Sequence, residues 1–550
     1  MAPQERRAAG MLFAAAALAI YWRTGYFGYY DGDFATLVER FYRVAIGQVI
    51  YRDFHCISAP LTYFIQGALL RLFGHALAAM RWYVSLQGGL MCAFIFLFTR
   101  RYLGMSVRQS LLCGLISFLW SIQLICAIPW YNADAYFFIL LAIWSFCRIW
   151  GKGSRWDDFL FGMFCSLAFW CKQDLGAAAL MLGAVLFIVE WLRFPKNRTP
   201  WRPLVCLAGA VIPFLIFGAY FMFHGALGRA WYFMVFRAIL FRWDLSGAGL
   251  PTKVFLTLFG DRSQTGKLLL LVYVLGVLMP LRRRISGPED RADLYLRNAC
   301  ISLFAGGIFY AGFLSHDATH FELLQPCLAF VLGIIWHALD QARLQAGFLI
   351  MVLPLSLWTV KYLGAGVYYS PVLLNSQVSR RTLAGLYRII GINDPPKEPY
   401  ASMGHSSFGG IRFARSHAEA VKAVLEFIDK EIPPQEAFAV FPPEQDHLFY
   451  FVTRRLPPQP VTIWGESISE DGGRIVAAFE KNRVQWVLIW KNDPGRILMP
   501  QLNDYLKKNF QEFPQAGKGP LVLRRRIRQA VASAQHKDLP GNPPAGPKSR

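Results

Sequence analysis

Charge is scarce in this chain, and acid scarcer still. Only 17% of its 550 residues are charged, against 55% hydrophobic and 15% aromatic, and 57 Lys and Arg face 35 Asp and Glu. A composition this apolar, with mean hydropathy +0.32, excludes an ordinary soluble enzyme built on one globular core. Cysteine is missing from the last two fifths: all ten lie between Cys56 and Cys327, mostly in apolar runs where a thiol behaves as a small hydrophobe. They form neither a CxxC zinc pattern nor a disulfide framework. The C-terminal part also lacks GxGxxG, a P-loop and an evident acid pair, so it reads as accessory.

Long apolar runs, by contrast, are plentiful. Stretches near 10–28, 78–99, 108–128, 132–150, 156–172, 174–192, 203–223, 266–281, 298–314, 321–339 and 346–363 are long enough to cross ~30 Å of hydrocarbon, predicting a polytopic α-helical membrane protein with about eleven crossings. Lys and Arg mark every second connection: Arg6 and Arg7; Arg100, Arg101 and Arg108; Arg148, Lys152 and Arg155; Arg193, Lys196, Arg198 and Arg202; Arg282 to Arg284, Arg291 and Arg297; Arg343. By the positive-inside rule these connections and the N-terminus are cytoplasmic. The net charge of +22 is thereby split among loops instead of forming one patch, which argues against a nucleic-acid partner. The first run also has signal-peptide features, with Glu5-Arg6-Arg7 ahead of it. Retained or cleaved, it leaves the following segment outside.

Two outer segments are long. In 29–77, Phe34, Leu37, Val38, Phe41 and Tyr42 recur at helical spacing, as do Leu61, Phe64, Ile65, Leu69 and Leu72, which predicts two amphipathic helices lying in the interface. In 224–265, Trp231 to Arg237 and Phe241-Arg242-Trp243 interleave aromatics with cations. That pattern suits a headgroup-level flap. Residues 1–363 form the membrane domain and 364–405 a linker, followed by an α/β domain over 406–527 and a disordered tail over 528–550. In the α/β domain, Ser416 to Glu419 reads as a capping box, and strands are expected at 437–441, 461–464, 484–490 and 521–523. An odd number of crossings places that domain in the periplasm. With no disulfides there, a bacterial inner membrane fits better than the endoplasmic reticulum.

Polar residues gather at the outer ends of the spans: Asp31, Asp33, Arg52, Asp53 and His55; Asn132 and Asp134; Lys172, Gln173 and Asp174; His316, Asp317, His320 and Glu322. Ionisable residues near membrane helices are costly and point to function. Each also has a plain structural explanation. Asp33 suits a cap for the helix starting at Phe34, Asn132 and Asp134 suit caps for the fourth span, and Lys172 suits snorkelling. His316 and His320, four apart, are a weak metal pair, and a phosphate or sugar contact fits them equally. Independent caps, however, would not choose one face so consistently. Carboxylates beside cations at a lipid–water boundary suit a base that deprotonates an acceptor hydroxyl while cations stabilise a departing phosphate.

Tyr30-Asp31-Gly32-Asp33, then Gly47 to Phe54 reading Gly-Gln-Val-Ile-Tyr-Arg-Asp-Phe, then Ala59-Pro60-Leu61-Thr62-Tyr63 closely resemble the first outer loop of bacterial GT-C glycosyltransferases. These are the protein O-mannosyltransferase-like and lipid A aminoarabinose-transferase-like proteins, including the rhizobial galacturonosyltransferase group. Lys172-Gln173 resembles the family's Lys-Gln, and His316 to His320 its late outer loop. The Asp-Gly-Asp step departs from the adjacent acids of many members. The resemblance implies a GT-C fold, a polyprenyl-phosphate-linked sugar donor and a lipid, glycan or protein acceptor among membrane lipids. It also implies that Asp31 or Asp33 is the base, that Lys172, Arg52 and His316 hold the donor phosphate, and that Asn132 with Asp134 shapes the sugar pocket. Asp53, Gln173 and His320 complete the expected binding set. No cofactor and no obligate metal are expected. The alternative class is a transporter or flippase of lipid-linked glycans, which predicts mid-span charges and inverted repeats; neither is evident.

Overall fold

The apolar runs fold as helices, because a chain in hydrocarbon must satisfy its backbone hydrogen bonds within itself. The structure is a computed structural model that describes residues 3–24, 32–74, 76–119, 121, 123, 129–151, 154–195, 199–238, 264–286, 291–315, 326–339, 345–348, 352, 400–402, 404–408, 412–441, 448–458, 472–490, 500–512 and 521–527. The apolar region contains α1 (Pro3–Thr24), α2 (Gly32–Ala45), α3 (Leu61–Phe73), α4 (Leu77–Tyr102), α5 (Val107–Leu119), α6 (Tyr131–Ile149), α7 (Arg155–Cys171), α8 (Gln173–Arg193), α9 (Trp201–Phe223), α10 (Leu227–Trp231), a π-helical turn (Tyr232–Arg237), α11 (Gln264–Ser286), α12 (Ala292–Ser315) and α13 (Pro326–Ala338). Helices stand at the expected spans up to 321–339, whereas most of 346–363 lies outside the described residues. Among the described residues, five helical segments are long and apolar enough to cross a membrane by length and composition: Leu77–Tyr102, Tyr131–Ile149, Gln173–Arg193, Trp201–Phe223 and Ala292–Ala311. The chain is a multi-pass membrane protein.

The two helices of the first long segment form where the apolar spacing puts them, as α2 and α3. The setting of α2 differs from an interfacial one, since every described side chain from Ala35 to Ala45 is buried, whereas α3 exposes Leu72 and Phe73. The polar face of α2 is therefore covered by protein.

The C-terminal region covers part of α2. That region contains β1 (Tyr400–Ser402), β2 (Arg412–Ala414), α14 (Arg415–Glu431), β3 (Ala437–Phe441), α15 (Leu448–Thr453), α16 (Gly472–Lys481), β4 (Val484–Trp490), α17 (Pro500–Asn509), β5 (Phe510–Glu512) and β6 (Leu521–Arg526). The larger sheet runs β3-β4-β6-β5, parallel between β3 and β4 and antiparallel elsewhere. Period-two alternation sends its side chains to two covered faces. Ala439, Phe441, Val487 and Ile489 pack with Ile475, Phe479, Leu502 and Leu506 of α16 and α17, while Phe438, Val440, Trp486 and Leu488 join the core that includes α14, α15 and α2. Helix α15 sits on α2, and the Phe451 ring meets the Tyr42 ring edge-on at 5.9 Å.

Two expectations about this region change, and two lie outside the described residues. Residues 400–402, assigned to the linker, form β1 paired antiparallel with β2. Helix α14 starts at Arg415, so Ser416 lies inside it and does not stand before it as a cap. The strand expected at 461–464 and the tail after 527 lie outside the described residues.

Candidate functional site at one end of the helix bundle

The Gly47 to Phe54 motif builds a rigid corner between α2 and α3. Gly47 adopts φ +92°, donates to the Val44 carbonyl, and is followed by Gln48 donating to Arg43. This Schellman pattern ends α2 and needs the left-handed residue that glycine supplies. Arg71 of α3 donates to the Ala45 and Val44 carbonyls at 2.5 and 3.1 Å, placing a cation on the negative end of α2. Tyr51 is also left-handed, at φ 69°, a conformation costing a bulky residue about 1–3 kcal/mol. Its fully buried side chain offsets that cost: the hydroxyl donates to Ser58 O at 2.7 Å, and the ring packs against Phe221 and Phe233.

Asp53 closes the same corner. Its carboxylate accepts from the Val49 N–H at 2.7 Å and from Arg52 at 2.8 and 2.9 Å. Partial burial pushes its pKa up, but the Arg52 guanidinium and the Val49 amide outweigh this and hold it below the usual carboxylate range. Asp53 thus acts on its own loop. Arg52 keeps an exposed side chain, and its carbonyl accepts from Arg229 of α10 at 3.1 Å.

The polar face of α2 was not picked out from sequence, where its apolar spacing drew the reading. Glu39, Arg40 and Arg43 are all at most 1% exposed. Arg43 forks onto Glu39 at 2.7 and 2.8 Å and lies over the Phe54 ring, while Arg40 reaches the Tyr63 hydroxyl of α3 at 3.4 Å. Asp33 belongs to the first turn of α2. At 100° per residue, positions 33, 36 and 40 share one face, so Asp33 and Arg40 stand two turns apart on the same side. Arg81 of α4 and Gln66 of α3 are buried beside this region as well, and no hydrogen bond to either amide atom of Gln66 exists among the described residues. Polar residues within apolar helical runs were the signal that could have found them.

Asn132 and Asp134 are not caps. The N-cap position of α6 is Trp130, and both residues lie buried inside the first turn. Asp134 accepts from Thr62 Oγ1 at 2.6 Å, Tyr83 Oη at 2.6 Å and Gln87 Nε2 at 2.5 Å. Its carboxyl ties α3, α4 and α6 together.

The connection between α7 and α8 is a single extended residue, Lys172, at φ −148° and ψ 111°. Gly176 allows this tight reversal, because a Cβ there would lie 2.0 Å from the Phe169 backbone. Lys172 does not snorkel. It is buried, with its amine 3.8 Å from the Asp174 carboxylate and 4.9 Å from the centre of the Tyr131 ring, which brings it against the start of α6.

Gln173 turns inward as a clamp on two loops. Its Nε2 donates to Ile57 O at 2.6 Å and Met234 O at 3.2 Å, and its Oε1 accepts from Ala59 N at 3.2 Å. The stretch 227–237 of the second outer segment consequently packs on the first, and the Phe233 ring stands 4.7 Å from His55. Burial foremost, then the nearby cations Arg474, Arg229, Arg43 and Arg40, lower the His55 pKa to about 4. That histidine is neutral at pH 7.

The structure thus brings Arg52, Asp53, Asn132, Asp134, Lys172 and Gln173 to one end of the helices, together with the α2 face that begins at Asp33. Asp31, His316 and His320 lie outside the described residues, as do 239–263 of the second outer segment. Among the described residues no group of three or more His, Cys, Asp or Glu could hold a metal ion.

Residues 58–220, running from the first outer corner through α9, match the family model for dolichyl-phosphate-mannose-protein mannosyltransferase. The backbone is similar to ArnT from Cupriavidus metallidurans in the apo state, with a TM-score of 0.52 and 14% identity over 94% of this chain and 97% of that one. ArnT of the same organism bound to undecaprenyl phosphate gives a TM-score of 0.50 and 14% identity over 94% and 98%. Archaeal oligosaccharyltransferase AglB from Archaeoglobus fulgidus, in complex with an inhibitory peptide and a dolichol-phosphate, gives 0.42 and 12% over 88% and 69%. No curated protein matches the chain by sequence. The fold is that of a polytopic membrane protein with a C-terminal α/β unit. Within that class the backbone has the GT-C fold of ArnT, and residues 58–220 are similar to the mannosyltransferase family.

Proposed function

We propose that the chain is a membrane glycosyltransferase that moves a sugar from a polyprenyl-phosphate donor to a hydroxyl of a lipid, glycan or protein acceptor on the extracytoplasmic side. The observation that carries this reading is the gathering, at one end of the helices, of the Arg52–Asp53 corner, Gln173, buried Lys172 and the Asp134 cluster, in and beside the region matched by the mannosyltransferase model. The chemistry is an exchange of one C–O bond for another. An aspartate, Asp31 or Asp33, takes the acceptor's hydroxyl proton, the freed oxygen bonds to the anomeric carbon, and the bond from that carbon to the phosphate oxygen breaks. Polyprenyl phosphate leaves with the electron pair. Lys172 and Arg52 stabilise its charge, Lys172 the more effectively because buried charges are screened less than exposed ones, and His316 and His320 join them from the late outer segment. Asn132 and Asp134 bound the sugar pocket, Asp134 chiefly by fixing the start of α6.

In this reading the N-terminus is cytoplasmic and the C-terminal α/β unit periplasmic, in a bacterial inner membrane. No divalent cation takes part, so chelation with EDTA leaves the rate unchanged; a rate abolished by EDTA and restored by Mg²⁺ or Mn²⁺ contradicts this. The test of the activity uses the full chain in vesicles with a polyprenyl-phosphate sugar. Transfer that yields a new glycosidic product supports the proposal. Movement of the lipid-linked sugar across the bilayer without such a product would make the chain a transporter instead.

A further inference from the structure

Helix α4 joins the two ends of the molecule. Tyr83 and Gln87 near its start reach Asp134 in the outer cluster, while Arg100 and Arg101 close its last turn. At that far end, α1, α4 and α6 enclose a cavity of about 290 Å³ lined by Glu5, Leu97, Arg100, Arg101 and Trp144.

The two arginines are held differently. Arg100 donates to Glu5 at 2.8 Å and to Met105 O at 2.9 Å, so its charge is matched by the one acid in the lining. Arg101 is exposed, and its guanidinium lies 5.9 Å from the ring centres of both Tyr102 and Trp144. Among the described residues it makes no hydrogen bond or ion pair. The lining therefore carries one uncompensated positive charge. That charge sits on a guanidinium whose planar fork matches phosphate oxygens and whose face is already oriented by aromatic rings.

The rest of the wall is not suited to a free inorganic anion. Leu97 lies one helical turn from Arg101 toward the middle of α4, and Trp144 is a residue type that prefers the boundary between hydrocarbon and headgroups. Together they give a charged mouth at the helix end with apolar surface immediately deeper. Basic crevices between membrane helices at this depth take lipid phosphates.

We infer that the crevice between α1, α4 and α6 binds the phosphodiester headgroup of an acidic phospholipid, with Arg101 on the phosphate and Leu97 and Trp144 against its glycerol and upper acyl chain. The site is remote from the outer cluster, and its occupancy does not depend on sugar transfer. The probe is the full chain in nanodiscs of phosphatidylcholine, with or without phosphatidylglycerol, released for native mass spectrometry. Wild-type protein is expected to retain phosphatidylglycerol in preference to phosphatidylcholine. Arg101→Gln is expected to lower that retention about tenfold, the loss of one charge-assisted contact, whereas Arg108→Gln, an exposed arginine outside the cavity, leaves it unchanged. Matching thermal unfolding of the two variants in phosphatidylcholine shows that both are folded. Equal retention by wild type and Arg101→Gln overturns the site, and displacement of the lipid by soluble glycerol phosphate overturns the lipid as its occupant.

Discussion

The two ends of the helix bundle hold their buried carboxylates differently. At the end of α8 remote from the outer loops, Arg202 bonds Asp158 at 2.9 and 3.0 Å and Glu190 at 2.9 Å, and all three side chains are at most 4% exposed. Around them Arg148 pairs with Asp157 and Arg193 with Asp293. Opposite charges there close on each other and staple α7, α8 and α9. The outer end has ion pairs too, Arg43 on buried Glu39 and Arg52 on Asp53, but there buried Asp134 is fixed by a threonine, a tyrosine and a glutamine, and Lys172 lies over an aromatic ring, 3.8 Å from Asp174. Burial alone therefore does not mark a site. Charges that neutralise one another hold helices together, whereas charges oriented by neutral groups are arranged to meet something else.

The comparison is broken most forcefully at the stapled end. Arg202→Ala leaves two buried carboxylates without their cation and should cost about 3–5 kcal/mol, read as a large drop in thermal unfolding temperature. If that variant unfolds no earlier than wild type, the staple is not what holds this end.

A smaller effect is expected at the clamp. Gln173→Ala frees the carbonyls of Ile57 and Met234 and the amide of Ala59, with a stability loss of about 1–3 kcal/mol. Hydrogen exchange should rise in both 50–59 and 227–237. A rise confined to one of them would mean that Gln173 does not couple the two loops.

The effect that is smallest at neutral pH, and grows only on acidification, concerns His55. Its folded pKa of about 4 lies below the ordinary 6.5, so the unfolded chain binds the extra proton first. Stability from this group is present above pH 6.5 and is lost as pH falls from about 6.5 toward about 4. His55→Phe should flatten that part of the stability profile, and an unchanged slope would assign it to other groups.

Much of this was legible before any coordinates. The spacing of Phe34 to Tyr42 and of Leu61 to Leu72 located α2 and α3, and Lys172-Gln173 stood out because no turn residue separates two apolar runs. What covers α2 was not legible, since periodicity in one helix does not name the partner that packs on it, here in part a short helix about 400 residues onward. The role of Gln173 was hidden for a similar reason. Its three bonds reach backbone groups 61 to 116 residues away. Strand β1 is three residues long, too short to leave an alternation that can be read.

The central claim, that the outer end is where a sugar is transferred, is tested most directly by Asp31→Asn and Asp33→Asn in the full chain, assayed with a polyprenyl-phosphate sugar in vesicles. Loss of the general base in one of the two is expected to slow transfer about 10²–10⁴-fold with thermal unfolding unchanged. Undiminished turnover in both would contradict it.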